Sequence, residues 1–161
     1  VLFKIGDYIT HPMHGAGVIE SIVTKKINGS PRDYYVLKLP VGDMVVMVPV
    51  SGCEDIGVRS IISRSEAEKL FSAFSEIEIS MTQNWNKRYR ENMDKIKSGN
   101  LLDVASVVKG LMCRDSERGL STSERKMLHS AKQILISELV IATDMDYDGV
   151  EKRLCAALKE G

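Results

Sequence analysis

Apolar and polar positions alternate with a period of two in the first third of the chain and with a helical period in the rest. Asn28-Gly29 is the dipeptide most typical of a two-residue hairpin turn, and residues 40–43 form a second turn signal. Between such turns, β-branched and aromatic residues favour strands. The strand-like runs are residues 3–10, 18–27, 34–39 and 44–48. Four or five short antiparallel strands predict a small SH3-like or Tudor-like barrel.

The period of the apolar positions changes to about 3.6 after Ser51-Gly52, which predicts helices. Ser65 and Glu68 have capping-box spacing, as do Ser121 and Glu124. The predicted helices begin near Ser65, Asn84, Asn100, Ser121 and Asp148, and the later four end near Ser98, Gly119, Ala142 and Lys159. The predicted fold class is therefore α+β, with a small antiparallel β-barrel domain at 1–57 followed by an all-α helical domain at 58–161.

Composition supports a globular protein, since 43% of the 161 residues are hydrophobic and 27% are charged. No apolar run approaches the roughly 20 residues that a bilayer requires, so we expect a cytoplasmic protein without membrane contact. Three cysteines without a close pair predict small buried hydrophobic residues instead of disulfides or a metal site. The net charge is zero, but residues 58–136 hold fourteen basic and ten acidic side chains, so the excess of positive charge lies in the middle of the chain.

Two segments could suggest catalysis or metal binding. His11, His14 and Cys53 are residue types that form nucleophiles and metal sites, although the glycine-rich sequence around the histidines favours a turn. Residues 144–149 imitate the first half of a calcium-binding loop, but Cys155 stands where such a loop needs a bidentate glutamate. Acidic residues that cap the last helix are the simpler interpretation. We therefore predict no enzyme activity, no metal and no cofactor.

The segment 84–92 holds the only tryptophan, Trp85, beside three cations and Tyr89. Cations can contact phosphates while a flat ring wedges against a base step, which would suit DNA binding. However, Trp85 and Tyr89 are four residues apart, with Met93 and Ile96 following, so they could equally form the buried face of an amphipathic helix. The residues alone leave both interpretations open and favour burial.

Several motifs, spread over nearly the whole chain, resemble the CarD/CdnL family of bacterial RNA-polymerase-binding transcription regulators. They are Phe3-Lys4-Ile5-Gly6-Asp7, Pro12, His14-Gly15, Tyr35-Val36-Leu37-Lys38, Val48-Pro49, Asn84-Trp85, Arg88-Tyr89, Arg114-Asp115, Glu117-Arg118-Gly119-Leu120-Ser121, Glu124-Arg125-Lys126-Met127-Leu128 and Ala131-Lys132-Gln133-Ile134-Leu135. A chance match over so many segments is improbable.

The resemblance implies a Tudor-like domain that docks on the β subunit of RNA polymerase, and a helical domain that contacts double-stranded promoter DNA. At the position of Trp85, the family's tryptophan wedges into the minor groove at the upstream edge of the transcription bubble. The chain would thereby stabilise the open promoter complex, and we expect it to act as a monomer. Carried over by position, the DNA-binding residues are Trp85, Lys87, Arg88, Arg90 and Arg125, and the polymerase-binding residues are Lys25, Ile27 and Met47.

One position departs from the family pattern. Where a later strand of the family often carries arginine, this chain has Met47, whereas Lys25 keeps a cation. The contact with polymerase would then be weaker or more apolar. The alternative to a DNA-binding regulator, based on the residues alone, is a protein-interaction adaptor that buries Trp85 and makes no contact with DNA.

Overall fold

The computed structural model describes residues 2–160, which form one antiparallel sheet followed by five helices. The strands are β1 (Tyr8–His11), β2 (Gly15–Ile27), β3 (Ser30–Leu39), β4 (Met44–Pro49) and β5 (Arg59–Ser60). Their order in the sheet is β4-β3-β2-β1-β5, with every neighbouring pair antiparallel. The predicted α+β class is confirmed. The sheet is open because β4 and β5 lie at opposite edges, so the predicted barrel is only a loose description.

The hairpin between β2 and β3 turns at the predicted dipeptide. Asn28 and Gly29 have φ angles of 52° and 80°, and Ile27 pairs with Ser30 across the turn. A two-residue turn of this kind requires positive φ at both central positions, which asparagine and glycine tolerate best. The sequence signal for the hairpin therefore has a direct conformational cause.

The sheet buries one face along β2, β3 and β4. Tyr35 and Leu37 point to this face from β3, together with Ile19 and Val48 from the neighbouring strands. The loop that follows β4 covers them, and its Cys53 is itself buried in the cluster. Alternate residues of β3 therefore point to the opposite, outer face of the same sheet.

The helices are α1 (Arg64–Phe74), α2 (Trp85–Lys97), α3 (Leu101–Arg118), α4 (Thr122–Thr143) and α5 (Tyr147–Glu160). They share a second core, to which α4 contributes fully buried Leu135, Ile136 and Leu139. The predicted start of α1 is wrong by two residues: Ser63, not Ser65, is the N-cap, and it forms the reciprocal capping box with Glu66. Within residues 2–160, no helix is both long and apolar enough to span a membrane.

An arginine of β5 and a glutamate of α4 connect the sheet to the helices. Arg59 donates two hydrogen bonds to Glu138, at 2.7 and 3.0 Å, and a third from Nε to the carbonyl oxygen of Gly99. The fully buried Glu138 also accepts a hydrogen bond from the backbone of Ile62. The sheet thus extends to residue 60, beyond the domain boundary placed after residue 57, and the division into two domains stays a prediction.

The junction gives a first prediction. Replacing Arg59 with alanine leaves Glu138 as a buried carboxylate without its cation, and breaking a buried pair in this way typically costs roughly 3 to 5 kcal/mol. Because the Arg59 side chain is 33% exposed, we expect a loss near the lower limit, about 3 kcal/mol of unfolding free energy measured by urea denaturation.

Lys132→Ala is the matched control, because Lys132 pairs with Glu151 at 2.8 Å where both side chains are partly exposed. That substitution should cost less than about 1 kcal/mol. Equal losses in the two variants would show that the Arg59 pair has no special role at the junction.

Candidate nucleic-acid interface and outer sheet face

Trp85 is the first residue of α2 and lies at the surface. Asn84 caps the helix by accepting a hydrogen bond from the backbone of Lys87, at 3.0 Å. The tryptophan is 41% exposed, and its ring stacks on that of Tyr89 with centroids 5.3 Å apart and an interplanar angle of 20°. Trp85 is therefore exposed, as the resemblance implies, and not a core residue. Its contact with DNA stays a prediction.

The indole N–H of Trp85 is bonded to the start of another helix. It donates to Oγ of Ser121, the N-cap of α4, at 3.2 Å. The same Oγ accepts from the backbone of Glu124 at 3.2 Å and lies 3.3 Å from the carboxylate oxygen Oε1 of that residue. The exposed ring is thus attached to both α2 and α4.

Arg88 occupies a different place from its neighbours in the basic segment. It is 2% exposed, and its guanidinium donates to both carboxylate oxygens of Glu124, at 2.9 and 3.2 Å. It also donates to the backbone carbonyls of Thr82 and Gln83. The guanidinium of Arg88 is therefore not accessible to a DNA phosphate in this conformation, because the side chain is directed inward. Its position indicates that it orders the segment before α2 against α4.

The other predicted DNA contacts lie at the surface. Lys87, Arg90 and Arg125 are exposed, and Arg125 donates one hydrogen bond to the carbonyl of Leu120 beside the N-terminus of α4. Arg118 is also exposed, at the end of α3, only three residues before Ser121. Sequence reasoning missed the contacts that Ser121 and Glu124 make with Trp85 and Arg88, although the capping-box spacing of Ser121 and Glu124 was visible.

The three predicted polymerase-binding residues share the outer face of the sheet. Lys25, Ile27 and Met47 lie opposite Arg32, Ser30 and Val36 of β3, respectively. Because these partners all have even numbers, whereas buried Tyr35 and Leu37 have odd ones, the three side chains point away from the sheet core. Ile27 and Met47 are exposed, as is Val45 two residues earlier on β4. This face, which we call the outer sheet face, combines these apolar side chains with basic ones, Lys25 and Arg32 near the hairpin and Lys38 opposite Val45.

The structure gives little support to a catalytic or metal site at His11, His14 and Cys53 or to a calcium site at 144–149. The rings of His11 and His14 are 4.5 Å apart, and burial together with His14 lowers the pKa of His11. Burial raises the pKa of the Cys53 thiol, which disfavours the reactive thiolate. Asp146 accepts a hydrogen bond from the backbone of Gly149 at the start of α5, as expected for capping. Among the side chains that the structure describes, no three of His, Cys, Asp or Glu are grouped to hold a metal ion.

Comparisons with known proteins match both parts of the chain. Residues 3–62 match the family model described as "CarD-like/TRCF RID domain", and residues 69–155 match that described as "CarD, C-terminal domain". The chain is also 38% identical over 140 residues to a Bacillus subtilis (strain 168) protein named "Putative transcription factor YdeB", covering 87% of this chain and 92% of that protein.

The Arg88–Glu124 pair generates a pH prediction. Hydrogen bonds and charge from Arg88 hold the pKa of Glu124 below its ordinary value of 4.5. A carboxylate with a lowered folded-state pKa stabilises the fold above its unfolded pKa, and that contribution is lost as pH falls through the folded value. We expect the unfolding free energy of the wild type to fall more between pH 6 and pH 3 than that of Glu124→Gln, as measured by urea denaturation at each pH.

Glu117→Gln is the control, because Glu117 is exposed near the end of α3. It should retain the acid dependence of the wild type. If Glu124→Gln retained it as well, the buried pair would not be a source of the acid sensitivity.

Proposed function

The chain belongs to the CarD family of transcription regulators, and we propose that it binds the RNA polymerase β subunit and stabilises the open promoter complex by contacting DNA at the upstream edge of the bubble. The observation that carries this proposal is the exposed, oriented ring of Trp85 at the N-terminus of α2. In this role the chain is a binding protein and not an enzyme.

An exposed aromatic ring beside cations suits a wedge in the minor groove. Apolar and aromatic side chains that enter a base step unstack it, at an energetic cost that further contacts with the DNA offset. Lys87 and Arg90 on α2, with Arg125 on α4, are exposed and available for contacts with phosphates. The alternative of an adaptor without DNA contact relied on a buried Trp85, so the observed exposure removes its main support.

A few phosphate contacts suffice if another surface anchors the protein. The chain has zero net charge, so free duplex DNA should attract it only weakly. A second attachment to polymerase raises the effective concentration of the wedge at the promoter and makes weak DNA contacts productive. Selectivity would then come from the polymerase and the geometry of the bubble instead of from base-specific hydrogen bonds.

The outer sheet face is the proposed attachment to polymerase. It combines exposed apolar side chains, Val45 and Met47 on β4 and Ile27 on β2, with the cation Lys25. Apolar area at the centre with charge toward the rim is the usual composition of a protein interface. Met47 therefore supplies contact area at a position where the family often has a charge.

Trp85→Ala tests the wedge. Since the ring is partly exposed, we expect the unfolding free energy to fall by about 1 kcal/mol, whereas truncation of a buried tryptophan costs roughly 3 to 5. Binding to the β subunit should be unchanged. Open promoter complexes should decay faster than with the wild type. Base–aromatic stacking is worth roughly 1 to 3 kcal/mol, which corresponds to a roughly 5- to 150-fold change in lifetime, and we expect a change at the lower end of this range.

Leu102→Ala is the matched control, since Leu102 is 51% exposed on α3 and has no predicted contact with DNA. It should leave the lifetime of the open complex unaltered. A wild-type lifetime with Trp85→Ala would exclude the wedge from the mechanism.

The outer sheet face is tested by Lys25→Glu and Met47→Ala. Reversing a rim charge weakens electrostatic attraction, and removing an apolar side chain removes buried area; each should reduce affinity for a purified β-subunit fragment by about 5- to 10-fold. Calorimetry would measure both effects. Lys152→Glu, at an exposed position of α5, is the charge-matched control, and an equal loss there would indicate a general charge effect and contradict the assigned face.

A further inference from the structure

The orientation of the Trp85 ring is restricted on two sides. Tyr89 stacks against it on the same helix, with centroids 5.3 Å apart. Ser121, which is 36 positions later in the sequence, accepts the indole N–H at 3.2 Å. The indole has one polar hydrogen, which an exposed ring could give to water. Here that hydrogen binds an atom of α4 instead.

The Ser121 hydroxyl is itself held in place. A serine hydroxyl offers one donor and two acceptor lone pairs. Its oxygen accepts from the backbone N–H of Glu124 and from Trp85, while its proton faces Oε1 of Glu124 at 3.3 Å. The Glu124 carboxylate is fixed in turn by Arg88. The acceptor that meets the indole is therefore the exposed end of a network whose other end is buried.

We infer that Ser121 is a positioning residue, which fixes the Trp85 ring in its inserting orientation before DNA arrives; this inference rests on the proposed wedge function. A free aromatic side chain must be immobilised when it inserts, and its lost rotamer freedom weakens binding. A ring that is already fixed avoids most of that loss. Because its N–H is bonded to Ser121 in the free protein, the ring would have to give up that bond before it could donate to a base edge.

Two substitutions separate this role from helix capping. Threonine and glycine rank about equally as N-caps, but only threonine retains an oxygen that can accept the indole N–H. Ser121→Thr should therefore preserve the orientation of the ring, and Ser121→Gly should release it. Ser123→Ala, also exposed in the first turn of α4, is the control for a nearby lost hydroxyl.

Tryptophan fluorescence of the free protein tests the positioning without polymerase. Trp85 is the only tryptophan, so time-resolved anisotropy reports the mobility of this ring alone. Ser121→Gly should increase the amplitude of the fast depolarisation, whereas Ser121→Thr and Ser123→Ala should resemble the wild type. Unchanged depolarisation in Ser121→Gly would overturn the inference, whatever the variant does at a promoter.

Open-complex decay tests the consequence. We expect Ser121→Gly to shorten the lifetime about 2- to 10-fold, the penalty for immobilising one side chain on binding, and Ser121→Thr to restore it. In a Trp85→Ala background, Ser121→Gly should have no additional effect. If Trp85→Ala shortens the lifetime, then a Ser121→Gly variant with a mobile ring and a wild-type lifetime would overturn the inference. If Trp85→Ala leaves the lifetime unchanged, the proposed wedge function fails, while the anisotropy result still decides whether Ser121 holds the ring.

Discussion

Two buried carboxylates on α4 determine how the parts of this protein are arranged. Glu124 receives Arg88 from α2, and Glu138 receives Arg59 from β5. The two glutamates are fourteen residues apart, so they are separated by about 21 Å along one helix. A buried ion pair contributes little net stability, because desolvation offsets the attraction, but losing one partner is costly. We therefore expect both pairs to act mainly by excluding other arrangements of the elements they join.

This arrangement fixes the positions of both proposed binding surfaces relative to α4. The Arg59 pair fixes the sheet, and hence the outer sheet face, against one part of α4. The Arg88 pair fixes the N-terminus of α2, and hence Trp85, against the first turn of the same helix. A tethered wedge gains from effective concentration only if the tether and the wedge reach their targets together. A defined distance between the two surfaces is what such a mechanism requires.

Local sequence signals predicted the turns and helix caps discussed below, whereas they did not predict the roles of the charged residues. The turn at Asn28-Gly29 and the caps at Asn100 and Ser121 depend on neighbouring residues, so the sequence reveals them. Arg88 lies between Lys87 and Arg90 and looks like another surface cation. Its burial depends on Glu124, which is 36 positions away and meets it only when α2 packs beside α4. Pairing over that distance has no signature in a single sequence.

Trp85 is exposed although it belongs to the stripe of α2 that the spacing of the apolar residues predicts to be buried. The expected stripe ran through Trp85, Tyr89, Met93 and Ile96. Of these only Ile96 is buried, while Tyr89 and Met93 are half-buried. The other buried residues of the helix are Arg88 and Asn92. Both stripes have the spacing of four that places side chains on one helical face, so periodicity alone does not choose between them. Glu124 supplies the partner that makes burial of Arg88 possible, whereas Trp85 lies about one turn earlier, at the first position of the helix. The exposure of the ring therefore depends on its place at the end of α2, which the period of the apolar positions does not show.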